Sequence, residues 1–86
     1  MKADRGTALI TGASRGIGAA IAVQLAQDGY DIVINYLERK DRALEVQESV
    51  RRYGRRAVIC QADVADAQQV RNMFAFARQE LGEIEL

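Results

Sequence analysis

Eight residues near the start of the chain, Thr11-Gly12-Ala13-Ser14-Arg15-Gly16-Ile17-Gly18, have types and spacing suited to holding a phosphate. They follow a short apolar run, Thr7 to Thr11, and open a stretch of helical periodicity. In that setting Gly12 allows a sharp turn out of the strand. Gly16 lets the backbone approach a pyrophosphate where a Cβ would intrude, and Gly18 lets the helix pack close to the sheet. Free amides and the positive end of the helix dipole then face the phosphates. The spacing is Gly-x-x-x-Gly-x-Gly. It lacks the terminal Gly-Lys-Ser/Thr of a Walker loop, which argues against an ATPase of that type. The bland alternative is a glycine-rich turn with no ligand. Three glycines between a strand and a helix weigh against it.

The elements that must position this loop can be read from periodicity. Thr7 to Thr11 reads as a buried strand. Ile17 to Asp28 reads as a helix with Ile17, Ile21 and Leu25 on one face, stopped by Gly29. Asp31 to Tyr36 is a β-branched second strand. Arg39 to Tyr53 is a helix facing inward through Ala43, Val46, Val50 and Tyr53, closed by Gly54. Ala57 to Gln61 is a third strand. Asp66 with Gln69 resembles a capping box, and Val70, Met73, Phe74, Ala77 and Leu81 mark the inner face of the helix it starts. Phe76 is placed on a flank of that helix. Gly82 stops it, and Glu83 to Leu86 is the approach to a fourth strand. The expected fold is α/β: a Rossmann-type parallel sheet in βαβαβα order, truncated at the start of the fourth strand, with residues 1–86 as its N-terminal dinucleotide-binding portion. A ligand would lie outside the carboxyl ends of the strands, at Thr11-Gly12, Asn35-Tyr36 and Ala62-Asp63. The first strand is expected mid-sheet, between the second and the fourth.

Thr-Gly-x-x-x-Gly-x-Gly resembles the cofactor signature of the short-chain dehydrogenases/reductases. The string TGASRGIG is similar to the bacterial 3-oxoacyl-acyl-carrier-protein reductase group within them. The likeness extends to Gln61-Ala62-Asp63-Val64, which follows the third strand. It implies a cofactor site of Gly12, Ser14, Arg15, Gly16, Ile17 and Gly18. It also implies that Asp63 meets the adenine amino group and that Val64 packs on the adenine ring, where spacing alone would equally allow a turn aspartate. Tyr36 takes the place of the strand-end carboxylate that binds the ribose 2′-hydroxyl in NAD-preferring sites. Arg15 resembles the basic residue of NADP-preferring members, and a guanidinium there can pair with a 2′-phosphate. Arg39 is counted with the site and Lys40 lies beside it, although a solvated helix start explains both equally well. Glu38 is a competing carboxylate. The expectation is NADP(H), with NAD(H) possible. The resemblance further implies a parent enzyme that moves a hydride between the nicotinamide and a carbonyl or alcohol, working as a homo-oligomer, either dimer or tetramer. Tyr36 and Lys40 mimic the spacing of the family's catalytic tyrosine and lysine. Their place on the adenosine side rejects them. The catalytic serine, tyrosine and lysine are expected beyond Leu86, so no catalytic residue is assigned and the 86 residues alone are expected to be inactive. A free-standing nucleotide-binding module without catalysis is the alternative.

Composition narrows the rest. The chain has 86 residues, with 12 basic and 12 acidic side chains that cancel. That balance offers no electrostatic case for nucleic acid or an anionic membrane as partner. It has no histidine and one cysteine, Cys60, which argues against a zinc or haem site and is expected to be core. No apolar run reaches signal or membrane-spanning length, so the expected compartment is the cytoplasm.

Overall fold

Residues Tyr30–Tyr36 form the central strand, β2, because a run of β-branched residues buries well on both faces of a parallel sheet. The structure is a computed structural model that describes residues 4–14 and 16–86. Around β2 lie β1 (Gly6–Ile10), α1 (Gly16–Gln27), α2 (Lys40–Arg52), β3 (Ala57–Gln61) and α3 (Ala67–Leu81). The order is the expected one, with β1 beginning and ending one residue earlier than its apolar run suggested. Both pairings are parallel: β1 runs from Gly6 opposite Tyr30 to Ile10 opposite Ile34, and β3 from Ala57 opposite Ile32 to Gln61 opposite Tyr36. The chain returns to β1 at residues 84–86. Ile84 bridges Thr7 in parallel, the Glu85 N–H donates to the Thr7 carbonyl at 2.7 Å, and the Leu9 N–H donates to the Leu86 carbonyl at 3.0 Å. The sheet therefore reads β3-β2-β1 and then the start of a fourth parallel strand. The order reverses at β1, and such a switch point opens a crevice for ligands.

Alternation along the strands splits the core in two. Ala8, Ile32, Ile34, Tyr36 and Ala57 face α1 and α2, meeting Ala22, Ala26, Ala43, Val46 and Val50. Val33, with Leu9, Val58, Cys60 and Ile84, faces Ala77 and Leu81 of α3. Fully burying each of Ile32, Ile34 and Val33 contributes roughly 1.5–3 kcal/mol.

Two helical faces differ from expectation. Ile17 and Ile21 are 80% and 45% exposed, and α1 packs through Ala22 and Ala26 instead. The helix is apolar nearly all round, so its large residues did not mark the inner face. Small side chains let its axis approach the sheet. On α3, Met73, Ala77 and Leu81 are buried as expected, but Phe74 is 39% exposed and Val70 only half-buried. Tyr53, expected on the inner face of α2, is the C-cap of that helix and is exposed.

The polar ends of the elements are specific. Asp31, buried at the start of β2, accepts from the Arg56 N–H at 2.9 Å and its Nε at 3.0 Å, and pairs with Arg55 Nη2 at 3.2 Å. Arg55 also reaches Asp4 at 3.1 Å. Asp66 caps α3 by accepting from the N–H groups of Gln68 and Gln69 at 2.9 and 3.3 Å. Gln69 does not close the reciprocal box. Its Oε1 accepts from the Asp63 N–H at 2.8 Å and so ties the helix start to the end of β3.

The Gln69 N–H, the Gln69 side-chain amide and the Gln68 N–H together hold the Asp66 carboxyl below the usual carboxylate range. A lowered folded-state value means that the cap's contribution is complete above the unfolded carboxyl pKa of about 3.9 and is lost as pH falls through the folded value. Hydrogen-exchange protection of the Gln68 and Gln69 amides is expected to drop below about pH 4, and to be low at every pH in Asp66→Ala. Equal protection in that variant would remove Asp66 as the cap.

Candidate functional site

Three parallel strands put three loops at one end of the sheet. The Thr11–Ser14 turn, the Leu37–Arg39 segment and the Ala62–Val64 segment lie side by side because their strands are in register. Main-chain bonds hold them together: the Ala13 N–H donates to the Asn35 carbonyl at 3.0 Å, and the Ala62 N–H donates to the Tyr36 carbonyl at 3.0 Å.

The glycine loop has two separate reasons for its glycines. Gly12 and Gly16 adopt φ of +61° and +62°, a region that L side chains rarely visit, and among the described residues a Cβ on either would meet nothing within 4 Å. The space before Gly16 is therefore open to a ligand, and φ is what requires glycine there among the protein's own atoms. A Cβ on Gly18 would collide with the Gly12 carbonyl oxygen. The close approach expected of Gly18 is thus made against the loop itself. The first turn of α1 carries no acidic residue, so its dipole is uncompensated. Ile17 stands out at the head of this helix. Ser14 is half-buried and borders both clefts that flank the loop. Arg15 lies outside the described residues.

One cleft, of about 240 Å³, is lined by Gly12, Ser14, Leu37, Glu38 and Arg39. The other, of about 530 Å³, runs between α1 and α2, and Ser14, Gly16, Arg42 and Glu45 are among the residues that border it. Tyr36 is 7% exposed and packs in the core shared with α1 and α2. Arg39 donates to Asp41 through Nε at 3.0 Å and Nη2 at 2.9 Å. That hydrogen bond from Arg39 takes the Asp41 carboxyl down to about 2. The guanidinium is therefore already engaged at the helix start. Arg42 makes no ion pair among the described residues. Reading the sequence did not single it out, although it lies three residues beyond Arg39 and so on the same side of α2.

At the third strand the Asp63 Oδ1 accepts from the Ala65 N–H at 2.9 Å, the geometry of a turn aspartate, and Val64 is exposed beside it. Asn35 lies between the loops and was noticed in the sequence only as a strand end. Its Oδ1 accepts from the Gly12 N–H at 3.2 Å, and its Nδ2 donates to the Ala62 carbonyl at 3.1 Å. Lys40 opens α2 and is exposed, whereas Tyr36 is buried in the core. Cys60, expected in the core, is partly buried against the Val33, Ala77 and Leu81 cluster, and that burial pushes its thiol above its usual range. Among the described residues no group of three or more side chains could hold a metal, and no helix is long and apolar enough to cross a membrane.

The model of the short chain dehydrogenase family matches residues 6–86. The chain belongs to this family. Among curated proteins, it is 41% identical over 80 residues to the 3-oxoacyl-acyl-carrier-protein reductase FabG of Staphylococcus aureus, covering 93% of this chain and 32% of that protein. It is 42% identical over 85 residues to an uncharacterized oxidoreductase of Methylorubrum extorquens, covering 99% of this chain and 34% of that one. The chain thus spans about a third of the length of the curated relatives it matches. Among solved structures, a short chain dehydrogenase from Burkholderia cenocepacia in complex with NADP superposes with a TM-score of 0.90 at 43% identity, over 98% of this chain and 34% of that one. A hydroxysteroid dehydrogenase from Escherichia coli gives 0.86 at 31% identity, over 96% of this chain and 35% of that one. The short chain dehydrogenase fold expected from the glycine loop is therefore the fold observed.

Proposed function

We propose that these residues bind NADP(H) for an oxidoreductase that moves a hydride between the nicotinamide and a small carbonyl or alcohol substrate, in the manner of a 3-oxoacyl reductase. The observation that carries this reading is the glycine loop at the switch point. Open space lies before Gly12 and Gly16, and the uncompensated N-terminus of α1 stands behind them. Backbone amides there suit a pyrophosphate. Gly12, Ser14, Gly16, Ile17 and Gly18 would hold the phosphates, and Asp63 and Val64 the adenine. Arg15 and Arg42 would supply positive charge for a 2′-phosphate, Arg39 would do so only on leaving Asp41, and Tyr36 brings no competing carboxylate. The bound dinucleotide supplies the hydride chemistry, and this part of the chain orients it. Support comes from the relative solved with NADP. The proposal extends to a homo-oligomer in the cytoplasm.

Glu38 favours a second reading, because its carboxylate lines the smaller cleft and could accept from a ribose 2′-hydroxyl of NAD(H). A module that binds the nucleotide without turnover is the other alternative, and a hydride-transfer assay on the whole protein separates it.

Calorimetric titration of the chain with NADPH and NADH tests the reading. NADPH is expected to bind more tightly. In Tyr36→Asp the ratio of the two affinities is expected to move toward NADH by roughly tenfold or more, because a carboxylate accepts from the 2′-hydroxyl and repels the 2′-phosphate. Tyr36 is buried, so the variant also loses stability. Taking both affinities on the same variant cancels that loss. An unchanged ratio would remove Tyr36 from the cofactor site, and no binding of either nucleotide would overturn the proposal.

A further inference from the structure

Asparagine is a poor strand former, yet Asn35 sits near the carboxyl end of the central strand with 3% exposure. A residue that breaks local propensity in a buried place needs a reason. Its partners supply one. The side-chain Oδ1 accepts from the Gly12 N–H at 3.2 Å. The Nδ2 donates to the Ala62 carbonyl at 3.1 Å and to the Cys60 carbonyl at 3.4 Å. The main-chain carbonyl of the same residue accepts from the Ala13 N–H at 3.0 Å. One side chain therefore grips the glycine loop on one side and the end of β3 on the other. Strand pairing does not reach Gly12 or Ala62, because β1 ends at Ile10 and β3 at Gln61.

We propose that Asn35 is a positioning residue. It fixes the distance and orientation between the loop that would take the pyrophosphate and the Asp63–Val64 segment that would take the adenine, so that one rigid dinucleotide site forms from two loops. This rests on the dinucleotide reading above. Asn35 touches no ligand. It acts through Gly12 and Ala62. Both functions of the amide are needed, an acceptor toward Gly12 and a donor toward Ala62. Leucine, valine and threonine cannot supply the pair at this reach.

Asn35→Asp turns this requirement into a pH signal. The ionised carboxylate still accepts from Gly12, but its second oxygen faces two carbonyl oxygens and has no proton to give. Only the protonated acid can donate to Ala62. The bridge in the variant is therefore intact at low pH and opens as pH rises through the carboxyl's titration, whereas the native amide does not titrate. NADPH affinity is measured for both forms from about pH 5 to about pH 8, and the ratio of variant to wild type is read, with circular dichroism at each pH. The ratio is expected to fall by at least about tenfold across that range, the effect of losing one buried hydrogen bond. A ratio near one at every pH in a folded variant overturns the proposal. A ratio low throughout means that the carboxyl is ionised and the bridge open at every pH, which supports it.

If the variant does not fold, the unaltered chain decides. Inorganic pyrophosphate titrated into the isotopically labelled wild type is expected to shift the Asn35 side-chain amide resonances, which the ligand cannot touch, and the Ala62 and Asp63 backbone amides. Shifts confined to the glycine loop overturn the proposal. A wild-type chain that binds no NADPH overturns the dinucleotide reading itself. That outcome is distinct from failure of the bridge alone, in which wild type binds and the variant tracks it at every pH.

Discussion

Gly18→Val is expected to weaken NADPH binding by at least about a hundredfold, a loss of roughly 2.7 kcal/mol. The cause is local and steric. A Cβ at Gly18 would collide with the Gly12 carbonyl oxygen, and it would stand 3.0 Å from the Gly12 carbonyl carbon and 3.1 Å from the Ala13 Cα. These are backbone atoms, so relief requires the loop itself to move. The loop is held by Asn35 through the Gly12 and Ala13 N–H groups, and shifting it breaks those bonds and re-aims the phosphate cradle. Gly16→Ala makes the contrast. Its Cβ meets none of the described protein atoms within 4 Å, so the penalty to the fold is the positive φ, about 1–2 kcal/mol of backbone strain. Urea melts of Gly18→Ala and Gly16→Ala should rank position 18 as the more damaging to the fold. Native affinity in folded Gly18→Val would show that the cradle does not depend on this approach.

Asp31→Ala is expected to lower unfolding stability by about 2–4 kcal/mol in a urea melt, a large share of the roughly 5–15 kcal/mol that stabilises an ordinary domain. Asp31 is buried and receives the Arg56 N–H, the Arg56 guanidinium and the Arg55 guanidinium. Arg56 is largely exposed and can turn to water. Arg55 is mostly buried and, among the described residues, its Nε has no partner, so within that set it would be left with the exposed Asp4 carboxylate. This cluster lies at the amino end of β2, opposite the proposed cofactor site. Affinity for NADPH in the residual folded population is therefore expected to stay near native. A drop of less than about 0.5 kcal/mol would show that the cluster is a solvated surface pair in effect.

Periodicity located the elements because apolar runs, glycines and β-branched residues act over a few positions. Tertiary choices were less legible. On α1, Ile17 and Ile21 looked like the inner face because they are large, whereas closeness to the sheet selects Ala22 and Ala26. On α3, Phe74 has the right spacing and the wrong side. The glycine loop was legible because its spacing encodes a backbone path. Gly18 was recognised as a site of close approach, but its partner, the Gly12 carbonyl, depends on how the turn folds back. Arg39 looked like the available cation at the start of α2, and Asp41 two residues on engages it. Asn35 was unreadable as a bridge because all three partners of its side chain are main-chain atoms, and these carry no residue type. Asp63 admits both of its readings at once. One carboxylate oxygen serves the turn, and that turn is what presents the segment at the end of β3.

The bonds made by Thr7 carry a consequence for the order of folding. Its hydroxyl donates to the Leu81 carbonyl across a separation of 74 residues, whereas Gly12 and Asn35 are joined across 23. Closing the longer loop costs about 1 kcal/mol more chain entropy than closing the shorter one. The β1-α1-β2 unit is therefore expected to assemble early, and the seam between Thr7 and residues 81–86 late. During synthesis the outer rim of β1 waits until residues 81–86 have left the ribosome. In that interval its unpaired amides and carbonyls are open to a strand from a neighbouring nascent chain.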